Sequence, residues 1–401
     1  MKKVFHGIFP VLVTTAFLCT VIVACTIGDL SLRKAVEGLN VAYEWFPAPP
    51  LTEKAAASTG NWFGDKVAIS GTTLVVSTLN ANRVTLYEGS GASWTALPAL
   101  ALAYPPSCVA LTDAFLAIGN SDNDKVAVYH KVKGTWNPAP QELSGALFSG
   151  FGYSVAISGS RLVVGAPYES NGYAYTYVYS GGTWSLKNRI QSSDSAAGDL
   201  FGTSVALCKD YAFVGACNKD SDKGSVYIFL YDGSQWGRTI NYYENRILTL
   251  SDGSNGNKFG NSISMDGDLA VVGAPGRNSS YLYTNAGASN WSLEKVLSPK
   301  GGKLIDAFGW SVSISVTPDR TLAIGGAKNS DSGRGSAYIF DSGTDWDQFP
   351  TLADDGATGD EFGCAVGISG DTAIVGAHKH LVDGKAAAGA AYVFIRQQAK
   401  Q

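Results

Sequence analysis

The sequence predicts an all-β protein that forms a single seven-bladed β-propeller. Three observations support this prediction. The 401-residue chain has 47 glycines, 11% aromatic residues and only 16% charged residues, which is typical of many short strands joined by turns. A unit of four short strands recurs seven times along the chain, and such a period indicates a repeat architecture. A single strand near the N-terminus matches the strand that the last unit lacks. We therefore expect four-stranded antiparallel blades, with the last blade closed by the N-terminal strand.

The N-terminal residues 1–24 are predicted to be a signal peptide of the lipoprotein type. Lys2 and Lys3 precede an apolar run that reaches Gly28 without a charged residue, as a secretory signal requires. The run includes Ile22-Val23-Ala24-Cys25, which resembles the lipobox of bacterial lipoproteins and predicts lipid attachment at Cys25. An uncleaved membrane anchor and plain secretion are the alternatives. All three place the protein outside the cytoplasm, and the lipobox places it in the envelope or on the surface of a bacterial cell.

Residues 25–43 are then a lipid-anchored stalk, and residues 44–401 form the propeller. The best-preserved unit runs from Phe151 to Trp184. Its first strand opens with Phe-Gly, its return strand ends with Gly-Ala-Pro, its third strand is aromatic and its fourth begins with Trp. Phe-Gly also opens five other units, at Phe63, Phe201, Phe259, Phe308 and Phe362. Unit 2 has Pro105-Pro106 in that place, and unit 1 has Ser77-Thr78 in place of Gly-Ala-Pro.

The fourth strand of the last unit is missing at the C-terminus. The first six units each carry a fourth-strand tryptophan, namely Trp94, Trp136, Trp184, Trp236, Trp291 and Trp346. The segment 44–51 contains Trp45 and is similar to residues 135–143 around Trp136. A linear stack of sheets would not need this extra strand, whereas a closed ring does. The N-terminal strand is therefore predicted to complete the last blade and tie it to the first.

The repeated motifs resemble the FG-GAP repeats of integrin α-subunit heads and of many bacterial surface proteins. The resemblance covers residues 44–401 and implies a seven-bladed propeller used for extracellular binding. Many members of that family hold calcium in the loop between the first two strands, with a D-x-D-x-D-G run. This chain has tight turns there instead, Ser158-Gly159-Ser160, Asp266-Gly267-Asp268 and Ser369-Gly370-Asp371. Such turns cannot wrap a cation that takes 6–8 oxygens, so the calcium role is not carried over to them.

The loops after the second strands hold the candidate metal ligands. Asn218, Asp220 and Asp222 alternate before Gly224 and are a weak candidate site for calcium. Related acidic runs occur at residues 120–124 and 329–331. The alternative is a solvated turn in which Asn and Asp side chains bond their own backbone. A second acidic set lies before the Phe-Gly motifs and is expected to make structural bonds between blades: Asp194, Asp199, Asp252, Asp354 and Asp360.

The sequence gives little support for catalysis. His378 and His380 follow a degraded Gly-Ala-Pro motif, and we expect this pair of imidazoles to be solvated. No nucleophile elbow, phosphate loop or dinucleotide motif occurs. Paired carboxylates from the loops of different blades leave open an enzyme that acts on carbohydrate. Cys208 and Cys217 lie at opposite ends of one hairpin, too far apart for a disulfide, and the four cysteines after Cys25 are expected to be small buried thiols.

The charge of the chain argues against nucleic acid as a partner. The formal net charge is −4, and Lys and Arg do not cluster, whereas nucleic-acid binding needs a basic surface. The sequence therefore favours a non-catalytic binding, adhesion or scaffold protein without a cofactor. It would sit on the cell surface, attached to the membrane through its lipid anchor only, and use its propeller loops to recognise an extracellular protein or glycan. An exported propeller enzyme that acts on carbohydrate is the alternative function.

Overall fold

The computed structural model describes residues 43–53, 58–238, 242–287, 290–351 and 356–398. Residues 45–396 form one compact unit. A second unit comprises residues 1–44 and 397–401, of which only four residues at the ends of two strands are described. The predicted signal peptide, Cys25 and nearly all of the stalk lie outside the described residues. Within the described ranges, no helix is both long enough and apolar enough to cross a membrane.

The described chain begins with strand β1 (Tyr43–Pro47) and then forms seven antiparallel sheets. Blade 1 contains β2 (Phe63–Ser70), β3 (Thr73–Thr78), β4 (Arg83–Ser90), β5 (Ser93–Ala96) and β6 (Leu100–Ala101). Blade 2 contains β7 (Cys108–Leu111), β8 (Phe115–Asn120), β9 (Lys125–Val132), β10 (Thr135–Trp136) and β11 (Gln141–Ser144). Blade 3 contains β12 (Ser154–Ser158), β13 (Arg161–Ala166), β14 (Tyr173–Ser180) and β15 (Thr183–Ile190).

The remaining four blades each take four strands. Blade 4 contains β16 (Phe201–Cys208), β17 (Tyr211–Ala216), β18 (Ser225–Leu230) and β19 (Arg246–Leu248). Blade 5 contains β20 (Ser262–Asp266), β21 (Leu269–Ala274), β22 (Ser279–Asn285) and β23 (Trp291–Leu297). Blade 6 contains β24 (Ser311–Val316), β25 (Thr321–Ala327), β26 (Ser336–Asp341) and β27 (Asp347–Thr351). Blade 7 contains β28 (Ala365–Ser369), β29 (Thr372–Ala377), β30 (Ala390–Gln398) and β1.

Short helical turns occur only in connections within the described ranges. Two four-residue turns are α1 (Lys219–Asp222) and α2 (Ser330–Gly333). The 3₁₀ turns are Leu79–Ala81, Ser121–Asn123, Pro275–Arg277, Leu304–Asp306 and Ser342–Thr344. The first strand of each blade contacts the first strand of the next around the whole ring, and β2 contacts β28. The prediction of a closed seven-bladed propeller is confirmed.

The N-terminal strand closes the ring as the sequence predicts. β1 forms the outer edge of blade 7 by pairing with β30. Beyond β1, the N–H of Ala48 donates to the carbonyl of Val393 at 2.8 Å, and Leu51 exchanges two backbone hydrogen bonds with Ala391. Trp45 packs against the apolar cluster that lies between blades 6 and 7. The first described segment of the chain therefore holds the last blade in place.

The Phe-Gly motif lets neighbouring blades approach closely. Phe201 is fully buried. Gly202 has a φ of +98°, and a Cβ on it would lie 2.6 Å from the carbonyl oxygen of Tyr173, so only glycine fits. A Cβ on Gly165, in the return strand of blade 3, would lie 2.0 Å from the carbonyl oxygen of Gly202. The glycine of Phe-Gly and the glycine of Gly-Ala-Pro therefore form one contact between blades.

This glycine contact recurs at six of the seven blade junctions. The pairs are Gly119 with Gly152, Gly165 with Gly202, Gly215 with Gly260, Gly273 with Gly309, Gly326 with Gly363 and Gly376 with Gly64. At the junction of blades 1 and 2, the corresponding positions hold Ser77 and Pro106. Unit 1 lacks the glycine of Gly-Ala-Pro, and unit 2 lacks the glycine of Phe-Gly. Both losses therefore affect the same junction, because these two positions are its two partners.

A second repeated feature is a kink in the backbone directly before the Phe of the Phe-Gly motif. In six units the residue before the Phe has a positive φ of 55–67°: Trp62, Gly150, Leu200, Lys258, Ala307 and Glu361. Most of these are not glycine, so the sequence does not reveal the kink. The backbone N–H of Phe151 donates to Asp124 Oδ1 at 3.1 Å, and that of Phe308 donates to Asn278 Oδ1 at 2.7 Å. Asp124 thus has a structural role at this junction.

The four cysteines of the described chain, Cys108, Cys208, Cys217 and Cys364, are free thiols. Cys208 pairs with Tyr211 at the turn end of its hairpin, and Cys217 lies one residue beyond Ala216 at the far end. The prediction that this pair forms no disulfide is confirmed. Cys217 and Cys364 are buried, whereas Cys108 and Cys208 are only half-buried, so the prediction of burial holds for two of the four.

Candidate functional site

The two faces of the propeller are built from different connections. One face carries the loops that join second to third strands and the loops that join consecutive blades. We call it the loop face, and it includes residues 145–153, 167–172, 299–310 and 378–389. The opposite face, the turn face, carries tight turns such as the two-residue turn between Ser158 and Arg161. Most of the long connections lie on the loop face, and the turn face carries one long connection, residues 231–245 between β18 and β19, which is described only in part.

A central channel with a cavity of about 510 Å³ runs between the first strands. Serine hydroxyls line much of it, contributed by Ser107, Ser121, Ser154, Ser204, Ser262 and Ser311. Its end at the loop face, the channel mouth, is formed by Lys66, Tyr153, Thr203, Asn261, Trp310 and Cys364. Among the described lining residues, Lys66 is the one charged side chain. Apolar side chains such as Val155 and Ile263 alternate with these serines, so the described lining is of mixed polarity and carries charge at one point of its mouth.

His378 forms the centre of an ionic cluster beside the mouth. Its Nδ1 lies 2.7 Å from Asp65 Oδ1, and its Nε2 lies 3.2 Å from Glu361 Oε2. The ring of Trp62 stacks on the imidazole at a centroid distance of 4.9 Å. The side chain of His378 thus has a partner on both nitrogens and on one ring face. Residue 378 is only 8% exposed.

The expectation that His378 and His380 are solvated is therefore wrong. His380 is also 8% exposed, and its Nδ1 lies 2.8 Å from Asp360 Oδ2. For His380 the physical reason is this bond to the loop before blade 7, and for His378 it is the closure of the ring, which brings Asp65 of blade 1 against the last blade. The partners of His378 come from blade 1 and from the loop before blade 7, so its neighbours in sequence did not reveal them.

The pairing fixes the charges within the cluster. Burial opposes the charged form of His378, but its hydrogen bond with Asp65, its contact with Cys364 and the charge of Asp65 together outweigh burial and raise its pKa to about 10. Burial also opposes the charged form of Asp65, yet the bond to His378 and the ion pair with Lys66 lower its pKa to about 2. The pKa of Glu361 is lowered as well, against burial, by Lys379, Lys328 and His378. At neutral pH, His378 is a cation between two carboxylates.

Three lysines complete the cluster. Lys66 Nζ lies 2.9 Å from Asp65 Oδ2, with its side chain 38% exposed. Lys379 forms an ion pair with Glu361. Lys328 Nζ lies 3.8 Å from Glu361 Oε2 and 3.5 Å from the centroid of the Trp310 ring. We call Asp65, Lys66, Lys328, Glu361, His378 and Lys379 the ionic cluster.

Sequence reasoning did not find the ionic cluster, although one signal was available. Lys66 stands in β2 where the first strands of units 3 to 6 have a serine, at Ser154, Ser204, Ser262 and Ser311. The first strands line the channel, so a lysine at this position places an ammonium group in it. The departure of Lys66 from the repeat pattern therefore marks the site.

Partly exposed aromatic rings lie on other sides of the mouth. Trp310 is 39% exposed and Tyr153 is 37% exposed. Tyr153 packs edge-to-face on Tyr168 with a centroid distance of 5.7 Å. These rings present apolar surface next to the polar groups of the channel wall, a combination typical of ligand pockets.

Two loop tips on the same face expose large apolar side chains. Leu147 and Phe148 are 83% and 89% exposed, and Leu304 and Ile305 are 70% and 74% exposed. The first tip is anchored, because the N–H of Phe148 donates to the buried carboxylate of Asp124 at 2.6 Å. The first apolar tip is thus presented on an anchored loop, and the side chains of both tips are largely unpacked against the rest of the described chain.

The calcium candidates lie on the loop face within and around α1. Asp220 is exposed, Asp222 is half-buried, and the carboxylate of Asp222 lies 3.9 Å from Lys258 Nζ. Asn218 accepts a weak hydrogen bond from the thiol of Cys217. No group of three or more His, Cys, Asp or Glu residues in the described chain is placed to hold a metal ion. The calcium site remains a prediction.

The second acidic set makes structural bonds, but these join a blade to the loop that precedes it and do not join one blade to another as the sequence predicts. Asp194 accepts from the hydroxyl of Tyr227 in the next blade at 2.8 Å. Asp252 pairs with Arg277 of the next blade, and Asp360 pairs with His380. Asp199 pairs with Lys219, and Asp354 lies outside the described residues. Where they are described, these carboxylates link a blade to the loop that precedes it.

Comparison with known proteins agrees with this architecture. The family model described as FG-GAP repeat matches residues 145–179, 184–229, 242–289, 291–340 and 347–394. No curated protein matches the chain. The matches begin after blade 2 and so leave out the junction that lacks the glycine pair. A propeller of these repeats indicates a binding or scaffold role in general. Since the matches cover more than half of its residues, the chain belongs to the FG-GAP repeat family.

Proposed function

We propose that this chain is a non-catalytic surface protein that binds an extracellular glycan or protein with its loop face. The observation that carries this proposal is the channel mouth. Trp310 and Tyr153 are partly exposed there beside Lys66, which lines a cavity of about 510 Å³. Pockets that bind ligands combine aromatic walls with a few charged or polar groups in this way.

The exposed loop tips support a partner that covers a wide area of the same face. Side chains such as Phe148 and Ile305 are more than 70% exposed, and large apolar groups at that exposure are typical of interaction surfaces. The anchoring of Phe148 by Asp124 reduces the conformational entropy that binding would cost. Both tips lie on the loop face, so one partner can contact a tip and the mouth together.

An exported enzyme that acts on carbohydrate is the second candidate, and Asp65 and Glu361 favour it because two carboxylates lie at one site. Hydrolysis of a glycosidic bond needs one carboxyl group that stays protonated as a general acid. The pKa values of Asp65 and Glu361 are both lowered, and His378 is held as a cation. This charge state supports binding over catalysis.

A glycan array and an array of extracellular proteins, combined with a panel of glycosidase substrates, separate the two candidates. We expect saturable binding of a glycan or protein and no turnover of any substrate. Turnover that is lost in an Asp65→Asn or Glu361→Gln variant would replace the binding function with the enzymatic one. Absence of binding on both arrays would leave a scaffold within the cell envelope, assembled through the propeller, as the remaining role.

The cellular location forms a separate part of the proposal. The lipobox at residues 22–25 supports an exported protein that is tethered through Cys25 to a bacterial envelope or cell surface, with residues 25–43 as a stalk. Labelling of the expressed protein with a palmitate analogue tests the tether. Label is expected on the natural protein and absent from the Cys25→Ala variant, and label that persists in the variant would contradict lipid attachment at this residue.

A further inference from the structure

The ionic cluster carries an excess of positive charge. Its two carboxylates, Asp65 and Glu361, face three lysines and the protonated His378. The nearby carboxylate of Asp360 is already occupied by His380 and by the backbone N–H of Ala357. Counted over the described residues, the cluster therefore has about two uncompensated positive charges, although the chain as a whole is acidic, with a formal net charge of −4.

The excess charge is directed at the channel mouth. Lys66 lines the cavity with its side chain 38% exposed. Lys328 lies over Trp310, which also lines the cavity, and the charge of Lys66 is among the causes that lower the pKa of Lys328. Both ammonium groups therefore belong to side chains at the channel mouth. An anion bound at the mouth would be attracted by both charges.

The rest of the mouth has the character of a saccharide site. Trp310 and Tyr153 supply partly exposed aromatic surface, and Thr203 and Asn261 supply hydroxyl and amide groups on the other side. The cavity of about 510 Å³ falls within the size range of small-molecule pockets. A sugar ring offers hydroxyls to the polar groups and an apolar face to an aromatic ring.

We propose that the channel mouth binds an acidic saccharide, with the anionic group held by Lys66 and Lys328 and the sugar ring placed against Trp310. This inference rests on the proposed binding function and names its ligand class. Lysine acts as a point charge towards an anion, so the site accepts a carboxylate or a sulfate group on the sugar. The strength of binding depends on ionic strength, because the two ammonium groups are partly exposed.

The test measures affinity for matched charged and neutral saccharides by titration calorimetry on the full-length protein. The probes are trigalacturonate, its methyl ester, which has the same rings without the charge, and a sulfated heparin disaccharide. The variants are Lys66→Gln and Lys328→Gln. Lys131→Gln is the control, since Lys131 also lies over a tryptophan and pairs with a glutamate. Its side chain has the same 19% exposure as that of Lys328, but it lies on the turn face.

We expect binding of at least one charged probe, at least tenfold weaker binding of the ester, and a tenfold or greater loss of affinity in each mouth variant. The Lys131→Gln variant should bind like the natural protein, and the melting temperatures of all variants should show that they are folded. Because the heparin disaccharide carries sulfate groups in addition to a carboxylate, tighter binding of this probe would indicate that sulfate groups contribute to recognition.

Three results would overturn the inference. Equal affinity for trigalacturonate and its ester would remove the role of the charge. An equal loss of affinity in the Lys131→Gln variant would show that the loss does not depend on a lysine at the channel mouth. No binding of any charged saccharide would exclude the ligand class, while a partner found on the arrays described above would still support the binding function.

Discussion

The junction of blades 3 and 4 and the junction of blades 7 and 1 have the same backbone contact but different side chains. At the first, Gly165 packs on the carbonyl of Gly202, and Ser154 Oγ donates to that carbonyl at 2.8 Å. At the second, Gly376 packs in the same way on Gly64. The repeated glycines therefore hold the ring together at both places.

The side chains around the glycine pair differ at the 7–1 junction. Lys66 stands in the place of Ser204, and Asp65 in the place of Thr203. His378 follows Gly376-Ala377 where blade 3 has Pro167. These changes create the ionic cluster without altering the backbone. The comparison shows that the repeated glycine contacts hold the ring together, whereas the side chains next to these contacts are free to differ and to form a site.

Removal of the closing strand β1 should disrupt the 7–1 junction. Of the predicted changes, this one should lower the stability of the propeller most. Deletion of residues 44–52 removes β1 and the bonds of Ala48 and Leu51 to β30, and it uncovers the apolar cluster that Trp45 packs against. We expect a loss of about 5 kcal/mol or more in the free energy of unfolding, and a melting temperature lower by about 10 °C. Calorimetry of a protein that begins at residue 43 and of one that begins at residue 53 measures this difference in stability. Equal melting temperatures would contradict closure by this strand.

Substitution of the packed glycines should affect the two junctions equally. A Cβ at Gly64 would lie 2.3 Å from the carbonyl oxygen of Ala390, and one at Gly202 would lie 2.6 Å from that of Tyr173. We expect Gly64→Ala and Gly202→Ala each to cost about 3 kcal/mol in urea denaturation, as overpacking and a positive φ combine. Gly159→Ala is the control, because Gly159 has φ +56° and open space around it. Its cost should be about 1 kcal/mol, and similar costs at all three sites would refute the shared contact.

A change in pH should alter the stability of the 7–1 junction more than that of the 3–4 junction. This effect should be smaller than that of the glycine substitutions. The pKa of His378 is raised from its ordinary value of 6.5 to about 10, so the folded protein holds a proton that the unfolded chain releases. Its stabilisation is complete below pH 6.5 and is lost as the pH rises towards 10. The pKa of Asp65 is lowered from 3.8 to about 2, so its contribution is complete above pH 3.8 and is lost as the pH falls towards 2.

The variant His378→Gln tests this difference. At pH 6 we expect it to lower the free energy of unfolding by about 2 kcal/mol, because two buried carboxylates lose a charged partner. The difference from the natural protein should shrink as the pH approaches 10. Denaturation of His130→Gln, which changes a histidine of blade 2 outside the ionic cluster, is the control. A pH-independent effect of His378→Gln would mean that the imidazole is not charged in the folded protein.

The fold could be predicted from the sequence, because each blade repeats the same short-range signals. Phe151, the Gly-Ala-Pro motif and Trp184 mark one blade, and Trp45 marks the strand that closes the ring. The positive φ before each Phe could not be predicted, because side chains as different as Leu200 and Glu361 adopt it. That conformation is imposed by the contact with the preceding blade and not by local preference.

The ionic cluster could not be predicted by inspection of neighbouring residues. His378 has no acidic residue beside it in the sequence, and its partner Asp65 lies near the other end of the propeller sequence. Ring closure creates the contact, so only the fold reveals that the imidazole is buried and charged. By contrast, the structural role of Asp194 and Asp360 was predictable from their regular position before each Phe-Gly motif.

The closing strand also has a kinetic consequence. Ala48 and Val393 bond to each other although most of the chain lies between them, and pairing between such distant segments is slow. During synthesis the segment around Ala48 is made early and stays unpaired until the last blade has been made. Unpaired edges are prone to associate with other chains. We therefore expect aggregation during refolding to be most sensitive to the delay before this last pairing, and a covalent link between the two strands to suppress it.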